Sequence, residues 1–90
     1  MLNLQHSDAW SSFYASTTTG SVLDERTMLL IGLAAAIAIS CEPCVESYLA
    51  KCKEIDIPDA AIADVLAKVM AVSAGKNKIQ FSRIISRASK

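Results

Sequence analysis

The sequence predicts an all-α fold, a small domain of three to four helices, and three observations carry that prediction. Apolar residues recur at helical spacing along most of the chain, no segment alternates with the period of two that a strand needs, and the breaks fall at residues that start or stop helices. A chain of 90 residues is one small domain with a marginal core, yet 52% of it is hydrophobic and only 20% charged. That is more apolar material than so short a monomer can hide, so the domain is expected to be completed by homo-oligomerisation.

Residues 1–22 read as an N-terminal segment, either a short helix or disordered, followed by a helical domain over 23–90. Trp10, Phe13 and Tyr14 fall on one face of a helical turn, so this segment is expected to pack on something. Thr17-Thr18-Thr19-Gly20 then reads as a linker. A helix is expected over 24–39. Ser21 and Asp24 resemble a capping box, and Asp24 with Glu25 places negative charge at the positive end of the helix dipole. Met28 to Ile39 is apolar nearly all round, which marks this helix as the centre of the core.

Ser40 offers a hydroxyl at the start of the next helix, expected over 42–54, and Pro43 fits its first turn, where a missing N–H costs nothing. Val45, Tyr48, Leu49 and Cys52 form its inward stripe, with Glu46, Lys51 and Lys53 outward. Asp56–Pro58 breaks the chain. A third helix follows over 59–74, with Ile62, Val65, Leu66, Val69 and Met70 at helical spacing. Gly75 is a stop or a weak point, and a further stripe of Phe81, Ile84, Ile85 and Ala88 defines a helix near 77–88.

Charge divides the chain unevenly. Residues 65–90 hold Lys68, Lys76, Lys78, Arg83, Arg87 and Lys90 with no acid, a net +6, while residues 1–64 hold nine acids and three bases, a net −6. No aromatic platform or recognition motif accompanies the basic residues, so no nucleic-acid partner is expected, and a solvated face pairing with acidic neighbours is the better reading. The N-terminus lacks the basic and apolar regions of a secretory signal. The apolar run of twelve residues is too short for a bilayer, which needs about 20, so no membrane partner is expected. A cytoplasmic, reducing location follows, where close cysteines are more often catalytic or metal-binding than structural.

The chemistry concentrates in Cys41-Glu42-Pro43-Cys44. Two intervening residues at a helix start hold the sulfurs close enough to bond, and unpaired backbone N–H groups there stabilise a thiolate, the reactive form. Such a pair can attack a peroxide or disulfide with one sulfur and resolve the product with the other. Zinc also uses this spacing but wants four ligands. Here Cys52 is eight residues on and His6 is remote, so neither metal nor cofactor is expected. Cys52 reads as a filler of a small buried space.

Three stretches of the chain, Asp24-Glu25-Arg26-Thr27, Leu30 to Ala38 and Cys41-Glu42-Pro43-Cys44, resemble the alkylhydroperoxidase D and carboxymuconolactone decarboxylase family. The similarity continues through Leu49-Ala50-Lys51 and Pro58 to Ala74, covering roughly residues 23–75. It implies an all-helical, homo-oligomeric protein and, in the branch that bears the cysteine pair, peroxidase or disulfide-reductase activity. The implied partners are a hydroperoxide or disulfide substrate and a thiol reductant protein. The resemblance also implies that Cys44 attacks and Cys41 resolves, whereas the helix-dipole argument favours Cys41 as the more acidic thiol.

Two departures stand out. The family places a His four residues after the second cysteine, where this chain has Tyr48, and a Glu twelve residues before the first, where it has Leu29. Neither replacement is a base near neutral pH. Tyr48 can still donate a hydrogen bond, and Glu25, one turn before Leu29 on the same face, is placed to reach towards the site. The candidate site is therefore Cys41, Cys44, Tyr48 and Glu25. Two functions stay open: a thiol oxidoreductase, and a non-catalytic oligomerisation or redox-sensing module that has lost the family's His and Glu.

Overall fold

The computed structural model describes residues 3–89, so Met1, Leu2 and Lys90 lie outside it. Four helices follow in order: α1 (Leu4–Thr19), α2 (Glu25–Ala38), α3 (Glu42–Glu54) and α4 (Asp59–Ala88), with no strand among the described residues. Helix α2 is the hub and packs against each of the other three. Its sequence explains the position: with no charged residue after Arg26, every face beyond the first turn can be covered. Leu33 is wholly buried and Leu29 and Ala36 nearly so. Burying a leucine stabilises by about 1.5–3 kcal/mol, so this single helix carries much of the core.

Caps set the helix boundaries. The Asp24 carboxylate accepts the Thr27 backbone N–H at 2.7 Å and is the N-cap of α2. Ser21 is instead occupied one residue earlier, accepting the Leu23 N–H at 3.0 Å, so the expected Ser21 cap gives way to Asp24. Helices α2 and α3 both end in Schellman motifs. At the first, the Ser40 N–H bonds the Ile37 carbonyl and the Cys41 N–H bonds the Ala36 carbonyl at 2.9 Å. At the second, Asp56 bonds Lys53 and Ile57 bonds Cys52 in the same way. The residue after each cap is left-handed, with φ of 58° at both Ser40 and Asp56. Serine therefore reverses the chain here and does not cap α3. That role falls to Cys41, whose sulfur accepts the Cys44 N–H. Ile57, in the Schellman contact with Cys52, is buried beside Cys52 and Leu29.

Two expected breaks are absent. The Thr run is the last turn of α1, where Ser16, Thr17 and Thr19 fold their hydroxyls back onto the carbonyls of Phe13, Tyr14 and Ala15. Gly75 lies inside α4, which runs through it for 30 residues. One glycine costs a helix about 1 kcal/mol, too little to stop one flanked by good helix formers. The first half of α4 rests Ile62, Val65 and Val69 on the rest of the molecule. Every described residue beyond Gly75 is exposed, including Ile79, Phe81, Ile84 and Ile85. The projecting helix makes the molecule long. Its radius of gyration is 17.6 Å, against about 12 Å for a compact chain of this length.

Candidate active site

Cys41 and Cys44 are joined by a disulfide, with Cα atoms 5.2 Å apart. Both ends of the pair are built by the α2–α3 turn. Cys41 closes the Schellman motif of α2 through its N–H, and its carbonyl accepts the Val45 N–H at 2.9 Å in the first turn of α3. Its Sγ accepts the Cys44 backbone N–H at 3.3 Å. Pro43, in the same turn, has no N–H to offer. The two cysteines are half-buried, so the bond can be reached from solvent.

Tyr48 lies one turn beyond Cys44 on α3. Its hydroxyl is 2.6 Å from that of Tyr14 on α1. This bond to Tyr14, then burial, pushes the Tyr48 phenol up to about 12. One phenol of such a pair donates to the other, leaving the acceptor's own O–H available to a third group. The Lys51 ammonium lies over both rings, 5.5 Å from the centre of Tyr14 and 5.0 Å from that of Tyr48. Lys51 thus lies across the aromatic pair and does not point simply outward as its place in the sequence implied.

These side chains line a cleft of 350 Å³ between α1, α2 and α3, together with Glu25, Leu29 and Glu54. Glu25 on α2 and Tyr48 on α3 therefore line the same cleft. Neither cysteine lines that cleft. The four candidate residues divide into a disulfide at the head of α3 and a phenol–carboxylate cleft a turn further along. Leu29, where the family's carboxylate would stand, is in the core against Cys52 and Ile57. Cys52 is fully buried, and burial pushes its thiol up, away from the reactive thiolate. No three His, Cys, Asp or Glu side chains among the described residues converge to hold a metal ion.

Tyr14 and Lys51 are the members of this region that the sequence did not single out. Lys51 had a local signal, since three residues from Tyr48 on a helix is the adjacent position. Tyr14 had only its place on the aromatic face with Trp10 and Phe13, which did not name its partner 34 residues away.

An all-helical domain whose central apolar helix turns into a CxxC pair defines a thiol-bearing class of helical proteins. The chain belongs to the carboxymuconolactone decarboxylase family, which matches residues 5–86 and so takes in α1 as well as the three later helices. A crystal structure of a protein from Methanobacterium thermoautotrophicum shares the fold, with a TM-score of 0.85 at 23% identity over 92% of this chain and 95% of that one. No curated protein matches the sequence. The cysteine pair places the chain in the CxxC-bearing branch of its family. No helix of the described residues is long and apolar enough to cross a membrane.

Proposed function

We propose that the protein is a thiol oxidoreductase that reduces hydroperoxides or small disulfides, cycling Cys41 and Cys44 between dithiol and disulfide. The observation that carries this reading is the Cys41–Cys44 bond itself, formed within one subunit by a half-buried pair. In the peroxide reaction one thiolate attacks the peroxide, the O–O bond breaks and an alcohol leaves. The second thiol then attacks the sulfenic sulfur, and water leaves as the disulfide closes. Two electrons have passed from the pair to the peroxide, and a thiol reductant protein returns them by exchange. Such a cycle needs a reducing compartment, for which the cytoplasm is our assignment. The phenol pair and Glu25 line the neighbouring cleft, which the cysteines do not enter.

The assembly is proposed to be homo-oligomeric, supported by the exposed apolar stripe of α4 and the extended shape. A second reading, the non-catalytic redox-sensing module, is favoured by one observation. The Tyr48 phenol is engaged by Tyr14 and Leu29 is in the core, so neither position offers Cys44 a base.

The deciding experiment is a single turnover of the reduced protein with one equivalent of an organic hydroperoxide. Alcohol formation matched by the loss of two thiols, absent in the Cys41→Ser/Cys44→Ser double variant, is the expected result. Alcohol yield no higher than that of the double variant would make the module the better account.

A further inference from the structure

We propose that α4 pairs with α4 of a second copy as an antiparallel, two-stranded coiled coil along its whole length; this rests on the homo-oligomeric reading above and assigns the surface, the direction and the register. From Ala63 the exposed side of α4 repeats at alternating spacings of four and three residues through Ala67, Met70 and Ala74. The alternation continues without a slip through Asn77, Phe81, Ile84 and Ala88, all exposed. A seven-residue repeat of this kind is the seam of a coiled coil. It lies about a third of a turn from Ile62, Val65 and Val69, by which the helix rests on its own molecule, so both faces can be filled at once.

The sizes along the seam set the direction. Small residues dominate its first half and bulky ones collect in its second. Antiparallel pairing puts Ala67 on Ile84, Met70 on Phe81 and Ala74 on Asn77 of the second copy, so each large side chain meets a small or flexible one. Parallel pairing would stack Phe81 on Phe81 and Ile84 on Ile84 and leave gaps between facing alanines. Asn77 is the one polar residue of the seam, and a single polar residue there fixes register.

Charge points the same way. A two-fold axis across the helix pair keeps the face of each α4 that rests on its own molecule on one side. Each projecting half therefore lies beside the body of the second copy. Lys76, Arg83 and Arg87 continue that face beyond Val69, and they carry the positive charge of residues 65–90 to the negatively charged residues 1–64 of the partner. The pairing also accounts for the persistence of the helix. Residues 76–88 are exposed throughout, and a helix of that length is marginal alone in water.

The test places a nitroxide label on the full chain at Gly75→Cys, Ser82→Cys or Ser89→Cys, one variant at a time. Labelling without reductant keeps Cys41–Cys44 bonded and Cys52 buried. The three positions are equivalent in successive heptads and face away from the seam, and a side chain at position 75 meets open space. Antiparallel pairing offsets the two labels along the axis by about 2, 20 and 40 Å in turn, so the distance read by pulsed spin resonance should lengthen from 75 to 82 to 89. An oligomer whose three distances are alike, or do not lengthen in that order, overturns the pairing and leaves the homo-oligomer standing. A monomer, with no distance between labels, removes both. The register has its own check. Ile84→Ala should weaken assembly by about tenfold or more, and adding Ala67→Ile should restore most of the loss, because the two positions face each other. Absence of recovery overturns the register.

Discussion

The Tyr48 ring rests on the bare Cα of Gly32, so closely that a methyl group there would overlap ring atoms Cε1 and Cζ. Helix α3 approaches α2 at this point only because position 32 has no side chain. The same ring is held at its far end by the Tyr14 hydroxyl, so it cannot swing aside without losing that bond. Gly32→Ala should gain about 1 kcal/mol of helix propensity and lose about 1–3 kcal/mol to overpacking. The expected balance is a destabilisation of about 1 kcal/mol, with the Tyr14–Tyr48 bond broken. Urea unfolding measures the first, and a drop in the Tyr48 titration midpoint reports the second.

Tyr14→Phe isolates the phenol pair. The Tyr14 hydroxyl is the chief reason the Tyr48 phenol is pushed up to about 12, so its removal should bring Tyr48 back towards 10, read by ultraviolet titration of phenolate. The sign for stability follows from the direction. A group whose folded pKa is raised stabilises fully below its unfolded value and loses that contribution as pH rises through the folded value. Wild-type stability should therefore fall between about pH 10 and pH 12 through this group, and Tyr14→Phe should lose most of that slope. An unchanged slope would mean that the pair does not persist in solution.

The sequence made the fold legible where the apolar period was long. The helices expected over 24–39 and 42–54 match α2 and α3 to within a residue at each end, because Asp24 and the Cys41–Pro43 segment carry their own start signals. The cysteine pair was legible for the same reason, as two residues of spacing is a local signal, and the two sulfurs are bonded. What escaped was decided by small energies or by distance. A single glycine does not outweigh the propensity of a 30-residue helix, so α4 runs on where a stop was expected. Ser40 adopts a left-handed conformation usually left to glycine, and its neighbours gave no sign of it. The cleft depends on α1 meeting α3 through Tyr14, a contact between distant positions that no local pattern encodes.

The projecting half of α4 should be the assembly surface. Ile79, Phe81, Ile84 and Ile85 are between 46% and 65% exposed, and burying each fully would contribute about 1.5–3 kcal/mol. Lys76, Lys78, Arg83 and Arg87 lie along the same segment and suit the acidic remainder of a second copy. Sedimentation at micromolar concentration should show an oligomer that weakens with salt, and Ile84→Glu should shift it to monomer. A folded wild-type monomer under those conditions would refute the assignment.

The most demanding prediction concerns position 48. A histidine there would stand one turn beyond Cys44 and supply a base with a pKa of about 6.5, where the wild type offers a phenol that stays protonated to about pH 12. Tyr48→His should raise hydroperoxide consumption near neutral pH by about 10²-fold, the usual scale of general-base help. The gain should appear as pH rises through the imidazole's titration, since only the neutral ring accepts a proton. A base at position 48 serves Cys44, so Cys44→Ser in the same background should abolish the increase. The substitution removes the partner of Tyr14 as well, and Tyr14→Phe alone controls for the loosening of α1. A rate unchanged from wild type, with the fold intact, would mean that the missing base is not what limits the dithiol, and would count directly against a peroxidase role for the pair.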